Sequence, residues 1–427
     1  MIQSTDKIVI AEYHEGFAAG IAKMWNLSRD SWGGDTSVMT EEQVKTKEAN
    51  NGNITLYLAL DGEEVVGYCG LSEYKEDTGS LYIPLLNVRP DYHGRKIGKM
   101  LVLKALQKTI ELGWPRLDLY TWPGNVKAVP LYKKCGFFWE DRDDTTHLMN
   151  FIPAVHQTQL LKPAFEKLDW YSSSMREIDV KPDGIKESGF TFYEYLWESG
   201  EVSARVRFER TGRGISLIET DDYLLELSMD HHEVIENEIQ NFQLKLINKT
   251  GVPVSFKAEG NNQGRVEAVF EHDLMAESDA VITGQFIVHE GEEPSIWKTH
   301  PSLEVKVWVN GEECELRLGL LPKQPAKITG GSKGNLRFIN QEAELEIEVE
   351  NNLEEDAVFH LSFPVSDLVE LEERDFRIEL HKKGRKLQKV PFIVKKIWLL
   401  SAGNGNIGNK GEWRRTRFFM QLNGHPH

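Results

Sequence analysis

Apolar and polar positions follow two regimes along the chain, and the change between them divides it. Up to about residue 170, apolar residues recur at spacings of three and four between short apolar runs, which predicts helices alternating with strands. Residues 8–10 predict a first strand, and residues 15–25 a helix with Phe17, Ile21, Met24 and Trp25 on one face. Thr40 followed by Gln43 three residues later is a capping box, so a second helix should run to about residue 49. Residues 54–60 and 65–72 flank Asp61-Gly62-Glu63-Glu64, a tight-turn signal between two strands. A central strand over 81–88 leads into a turn carrying Gly94 and Gly98. A long helix follows, with Ile97, Met100, Leu101, Leu103, Leu106 and Ile110 at helical spacing. A strand at 117–121, a short helix from Asn125 and closing strands at 136–138 and 145–151 complete this part. Residues 153–168, with Val155, Leu160, Leu161, Phe165 and Leu168, predict a linker helix.

Beyond Trp170 the period becomes two. FTFYEYLW, VSARVRF, FQLKLIN, VPVSFKA, AVITGQFIV and LEVKVWV are strand-length runs separated by Gly, Asn, Asp and Pro turns. Regular short strands without helices between them imply all-β sandwiches. A weak internal duplication supports two of them. Residues 242–258 resemble 343–363, each a strand ending in Asn, then a turn and a second strand; 303–320 resemble 376–394, each read as a hairpin. The expected organisation is an α+β domain over 1–152, a linker helix over 153–170, a β-rich domain over 171–330 that is immunoglobulin-like from about 240, and a second immunoglobulin-like sandwich over 331–427. The last boundary falls in the Gly/Ser-rich KITGGSKGN.

Chemistry concentrates in the strand, turn and helix between residues 81 and 111. The first amides of a helix have no intrahelical partner and point outward, so an anion can take them as its ligands. Gly94 and Gly98 allow close approach of the backbone, and Arg95 and Lys96 add positive charge. This stretch resembles the GNAT-type N-acetyltransferase superfamily, which places V-x-P-x-x-(Q/R)-x-x-G-x-(G/A) at the turn holding the pyrophosphate of acetyl-coenzyme A. Here stand Val88, Pro90, His93, Gly94, Arg95, Lys96, Ile97 and Gly98. His93 occupies the usual Gln or Arg position and Lys96 that of the middle Gly, where a positive φ would be costly. The second half of the likeness is N-x-x-A-x-x-L-Y-x-x-x-G-F, matched by Asn125, Ala128, Leu131, Tyr132, Gly136 and Phe137.

The resemblance implies a mixed sheet flanked by helices, whose central strand splits from its neighbour to admit the pantetheine arm. It implies a cofactor site made by Leu86, Asn87, Val88, His93, Gly94, Arg95, Lys96, Ile97, Gly98, Lys99, Asn125, Ala128 and Tyr132, with Tyr132 as the general acid beside the sulfur. It also implies an acceptor site bordered by the loop between the first two helices, which makes Trp32 and Asp35 its candidates. No carboxylate stands on the central strand, where Tyr82, Pro84 and Asn87 are the polar-capable positions. Glu73, Glu76, Asp77 and Asp118 are the nearby acids, and Glu73 is carried forward as candidate base, with a water relay as the other route.

Composition narrows the partners. The net charge of −17 lies mainly beyond residue 150 and repels phosphodiester backbones, so no nucleic-acid partner is expected. Cys69, Cys135 and Cys314 fit no metal or disulfide spacing, and no metal site is expected. The first residues carry no cationic-plus-apolar leader and no run reaches membrane-spanning length; a cytoplasmic protein with no membrane partner is expected. Glu342, Glu344, Glu346, Glu348 and Glu350 form a column of carboxylates on one strand face, to be balanced by the basic segment that follows.

The reading is an acetyl-coenzyme A-dependent N-acetyltransferase acting on an amine acceptor by direct attack. Two alternatives stay open on the sequence. One is an acyl-coenzyme A-binding protein of weak activity. The other is a carbohydrate- or protein-binding β-module protein with a tethered transferase, with Lys306, Trp308 and Trp398 as an aromatic platform.

Overall fold

A computed structural model describes residues 8–29, 37–142, 146–261, 264–333 and 339–395, and the backbone of 421–424. The chain forms two compact units. One comprises Met1–His232, Ile239–Ile287 and Pro294–Leu321; the other comprises Glu233–Glu238, Val288–Glu293 and Pro322–His427. Among the described residues no helix is long and apolar enough to cross a membrane.

The first unit opens with β1 (Val9–Glu12), α1 (Ala18–Leu27), α2 (Glu41–Asn50), β2 (Asn53–Asp61) and β3 (Glu64–Glu73). Thr40 caps α2 as its spacing predicts: its hydroxyl accepts the Gln43 amide at 3.3 Å, and its own amide donates to the Gln43 side chain at 2.8 Å. β2 and β3 form a hairpin through Gly62, whose φ of 61° suits a residue without Cβ. Next come β4 (Ser80–Ile83), β5 (Leu86–Val88), α3 (Ile97–Glu111), β6 (Arg116–Thr121), α4 (Ala128–Lys134), β7 (Phe137–Glu140) and β8 (Thr146–Asn150). The sheet order is β1-β2-β3-β4-β6-β8-β7, antiparallel throughout except for the parallel pair β4 and β6.

Alternation along the strands assigns the helices to opposite faces. Leu56, Leu58 and Tyr68 pack in one core with Ala18, Ile21, Met24 and Val44 of α1 and α2. On the other face a Cβ at Gly67 would lie 3.0 Å from Leu101 and 3.2 Å from Ile97 of α3, so only glycine lets that helix sit so close.

Residues 152–165 are not one linker helix. They break into Ile152–Gln157, a tight turn at Gln159–Leu161, and Lys162–Phe165, because Thr158 is extended (ψ 115°) and Pro163 restarts the helix at its first turn. The β-rich part that follows lays an eight-stranded antiparallel sheet against the N-terminal domain. The Tyr195 hydroxyl donates to the Gly136 carbonyl at 2.6 Å, and the Phe138 ring stacks on Tyr193 and the Phe151 ring on Phe208.

In the second unit, strands Ala326–Lys333, Glu342–Asn351, Arg385–Val394 and Val369–Leu371 form one sheet, and Asp375–Leu380 and Ala357–Ser362 belong to another. Ile347, Val349 and Val390 from the first meet Phe359, Leu361 and Ile378 from the second in a shared core. The two halves of the duplicated sequence behave differently. In both copies of the first half the chain passes from one sheet to another, from Ile239–Asn248 to Val254–Gly260 and from Glu342–Asn351 to Ala357–Ser362. In the second half, Ser302–Val309 and Glu312–Gly319 do pair as a hairpin, but Asp375–Leu380 and Arg385–Val394 lie in different sheets. Residues 376–394 are therefore a corner rather than a hairpin: each strand buries one face in the core from its own side. The carboxylate column is balanced across strands, with Lys389 2.8 Å from Glu344, Lys333 2.7 Å from Glu346 and Arg385 2.9 Å from Glu350.

Candidate active site

The predicted central strand is interrupted. Pro84, which has no amide hydrogen, and Leu85 separate β4 from β5, and the two pieces have different neighbours. β4 pairs with both β3 and β6, whereas β5 pairs with β3 alone, in the register Cys69↔Leu86, Tyr68↔Asn87 and Gly67↔Val88. β6 continues along β8 to Thr121 and leaves β5 behind. The far edge of β5 thus offers main-chain donors and acceptors to a ligand rather than to a strand, since such groups seek partners wherever they are shielded from water.

The chain leaves this edge through Pro90–Tyr92 and enters α3. His93, at the position where Gln or Arg is usual, holds the Val88 carbonyl oxygen through Nε2 at 2.9 Å. Gly94 has a φ of 82°, and a Cβ there would meet nothing within 4 Å, so the backbone borders open space. Lys96 adopts φ 65° and ψ 14° at the N-cap without a side-chain cap. The first intrahelical bond runs from Met100 to the Lys96 carbonyl at 3.1 Å, which leaves the amides of Ile97, Gly98 and Lys99 as outward donors at the positive end of the helix. An uncapped, open, glycine-bordered helix start beside an unpaired strand edge fits the pyrophosphate and pantetheine of coenzyme A.

Several expected roles change. Gly98 has no positive φ; a Cβ there would lie 3.1 Å from Leu131, so glycine is needed for the packing of α3 on α4. Asn125 is spent within the fold, its carbonyl accepting the Ala128 amide at 3.2 Å and its amide donating to Thr121 at 2.8 Å; the Ala128 amide is taken as well. Arg95 lies over the Tyr92 ring at 4.4 Å and 3.9 Å from Asp61. Lys99 holds its ammonium 3.6 Å from the ring of Tyr171, a residue from beyond the N-terminal domain.

Tyr132 projects from α4 into the interior, 7% exposed, with Cys69, Cys135 and Tyr82 near enough to influence it. Burial pushes its phenol well above the ordinary 10, so the hydroxyl keeps its proton at neutral pH. Burial also pushes the thiols of Cys69 and Cys135 up to about 12, which makes neither a nucleophile.

Glu73 is exposed, opposite Leu81, whereas the unpaired edge begins at Leu86 opposite Cys69. Four residues of strand, about 13 Å, separate the two places, and the structure does not bring Glu73 to Tyr132. Trp32 and Asp35 lie outside the described residues.

On the α1/α2 face, where the central strand breaks, a cavity of about 360 Å³ is lined by Trp25, Arg29, Lys47, Tyr68, Pro84 and Leu85 among others. Trp25 meets Tyr68 edge-on, and Lys47 stands 4.5 Å from the Trp25 ring. A carboxylate that sequence reasoning missed stands behind two of the lining residues: Glu48 accepts from the Tyr68 hydroxyl at 3.0 Å and from Asn51 at 2.5 Å. Burial first, and Glu48 beside it, push the Tyr68 phenol well up. The available signal was helical spacing, since Glu48 follows the buried Val44 by one turn and so shares the inward face of α2. Asn87, opposite Tyr68, has a buried side-chain amide nitrogen without a partner.

Residues 21–137 match the model of the Acetyltransferase (GNAT) family. Over 115 residues the chain is 31% identical to the mycothiol acetyltransferase of Actinosynnema mirum, a match covering 26% of this chain and 38% of that protein. Over 81 residues it is 31% identical to an uncharacterized N-acetyltransferase of Bacillus subtilis, covering 19% of this chain and 51% of that protein. The chain therefore spans well under two thirds of the length of either relative. Among solved structures, the PaiA N-acetyltransferase of Thermoplasma acidophilum in complex with coenzyme A is 18% identical, with 34% of this chain and 99% of that chain covered and a TM-score of 0.29.

Proposed function

We propose that the acetyltransferase (GNAT) domain in the N-terminal third of this chain takes acetyl from acetyl-coenzyme A and transfers it to a primary amine by direct attack. The observation that carries the reading is the unpaired edge of β5 running into the uncapped start of α3. Acetyl-coenzyme A supplies an activated thioester there. The amides of Ile97, Gly98 and Lys99, with Gly94 clearing the approach, bind its diphosphate, and the edge of β5 orients its arm.

The acceptor enters from the α1/α2 face. Its amine gives up a proton to Glu48 through the hydroxyl of Tyr68, which lines the cavity, and its nitrogen lone pair attacks the thioester carbonyl. The main-chain amides of Leu86 and Val88, which point away from β3, and the unpartnered side-chain amide of Asn87 stabilise the carbonyl oxygen as it gains charge. The C–N bond forms, the C–S bond breaks, and Tyr132 gives its proton to the departing sulfur. Tyr132 then recovers a proton from solvent and Glu48 releases the one it took, so the products are amide and free thiol. With the thiols of Cys69 and Cys135 held protonated, no acyl-enzyme forms on either. Such chemistry belongs to the cytoplasm, where acetyl-coenzyme A is made and used.

The test is thioester consumption by the full chain with a panel of amines, beside calorimetric titration with coenzyme A. Tyr132→Phe should lower kcat by roughly 10²- to 10⁴-fold, the range of general acid catalysis, with coenzyme A affinity unchanged. Tight coenzyme A binding without consumption for any amine would instead leave a binding protein.

A further inference from the structure

We propose that the acceptor amine carries a carboxylate, gripped by Arg29 in the cavity on the α1/α2 face; this rests on the acetyl-transfer reading above. Arg29 stands just past Ser28, the C-cap of α1, whose hydroxyl donates to the Met24 carbonyl at 2.8 Å. Two of its guanidinium atoms, Nε and Nη2, are closed to bulk water and have no hydrogen-bond partner. They are the two atoms of one guanidinium edge, whose parallel N–H bonds match the two oxygens of a carboxylate. A guanidinium cannot shed its charge at any ordinary pH, so a shielded and unpaired edge calls for an anion.

Arg29 is itself one of the residues that line the cavity. The surroundings agree. Lys47 adds a second positive charge at the same cavity, while the nearby carboxylate, Glu48, is already engaged by Tyr68 and Asn51. At about 360 Å³ the cavity is at the small end for ligand sites, which suits an amino-acid-sized molecule rather than a folded partner. Arg29 shares the cavity with Pro84 and Leu85, where the central strand breaks and the thioester is to be reached. An acceptor held by its acid group at Arg29 would thus present its amine to the slot.

The experiment uses the full chain saturated with coenzyme A or acetyl-coenzyme A. Glycine, β-alanine, 4-aminobutyrate and glutamate are compared with their carboxamides and with O-phosphoethanolamine, by calorimetric binding to the coenzyme A complex and by thioester consumption. At least one acid should bind tenfold or more tighter than its carboxamide. Arg29→Gln should abolish that difference while leaving coenzyme A affinity within twofold, and Arg29→Lys should restore part of it. The binding arm reads the anion preference even if no acceptor turns over, so loss of the transfer reading and loss of this one are separate results. Equal binding of acids and carboxamides, no binding of any acid, a preference retained in Arg29→Gln, or stronger binding of O-phosphoethanolamine than of every carboxylate would each overturn the proposal.

Discussion

The Asp77 carboxylate accepts the main-chain amide of Thr299 at 2.8 Å, across 222 residues of sequence. Its other oxygen faces Arg116 at 2.6 Å and Arg213, both buried, so a loop of the N-terminal domain sets one carboxylate between two cations where the β-rich stretch meets it, and Arg116 has Asp118 as well, at 2.8 Å. Replacing Asp77 by Asn takes from the shielded Arg213 guanidinium the carboxylate it faces, while Arg116 keeps only Asp118. Asp77→Asn should destabilise the full chain by about 3–5 kcal/mol, seen as a lower urea midpoint. Lys23→Ala, which removes an exposed pair with Glu64, should change stability by less than about 1 kcal/mol.

Acid should act at the same junction. Burial works against the charged form of Asp77, but the charges of Arg213 and Arg116 and the Thr299 amide outweigh it and hold the carboxyl below its ordinary range. Burial likewise opposes Glu140, yet the hydrogen bond and charge of His147, with Arg142 and Arg213, bring it down to about 2. Groups whose folded pKa lies below the unfolded value stabilise the fold above the unfolded value, about 4 for these carboxyls. That contribution is lost as pH falls through the folded values. Thermal unfolding midpoints should therefore drop between about pH 4.5 and pH 2, and less steeply in Asp77→Asn than in the parent.

Lys96 shows what the helix start requires. A side chain with φ 65° bears a cost that glycine does not, roughly 1–2 kcal/mol, partly offset by glycine's greater freedom in the unfolded chain. Lys96→Gly should leave stability unchanged or raise it by up to about 1 kcal/mol, with coenzyme A affinity within about threefold by calorimetry, because the amides of Ile97–Lys99 bind rather than the Lys96 side chain. Lys96→Val should lower both stability and affinity, since a β-branched residue tolerates this conformation poorly.

His93 supports the strand edge rather than the anion. Its ring holds the Val88 carbonyl at 2.9 Å, a hydrogen bond worth about 1 kcal/mol. His93→Ala should weaken coenzyme A binding by about fivefold in calorimetric titration, and His93→Gln, which can make the same contact, should recover most of it.

Much of the N-terminal domain was legible in the sequence because its signals are local. Helical spacing, the Thr40 capping box and the glycine-marked hairpin at Gly62 involve residues a few positions apart, and each element formed where its pattern ends. The turn from Val88 to Gly98 was legible for the same reason. Glu48 and Arg29 were not: each is an unremarkable charged residue on a helix or just past one, and only the packing of α1 and α2 puts Arg29 on the cavity wall and Glu48 against Tyr68.

The order of residues along the chain by itself determined which segments coil, which extend, and where a helix begins with bare amides beside a strand, since backbone preference and amphipathic spacing act over a few residues. Tertiary structure alone decided that Pro84 and Leu85 part the central strand into pieces with different neighbours, that residues 376–394 turn a corner between sheets, and that Asp77 meets Arg213 and Thr299. Those outcomes depend on which apolar faces find one another and which buried charges must be matched, and such matches are made between residues that no local pattern connects.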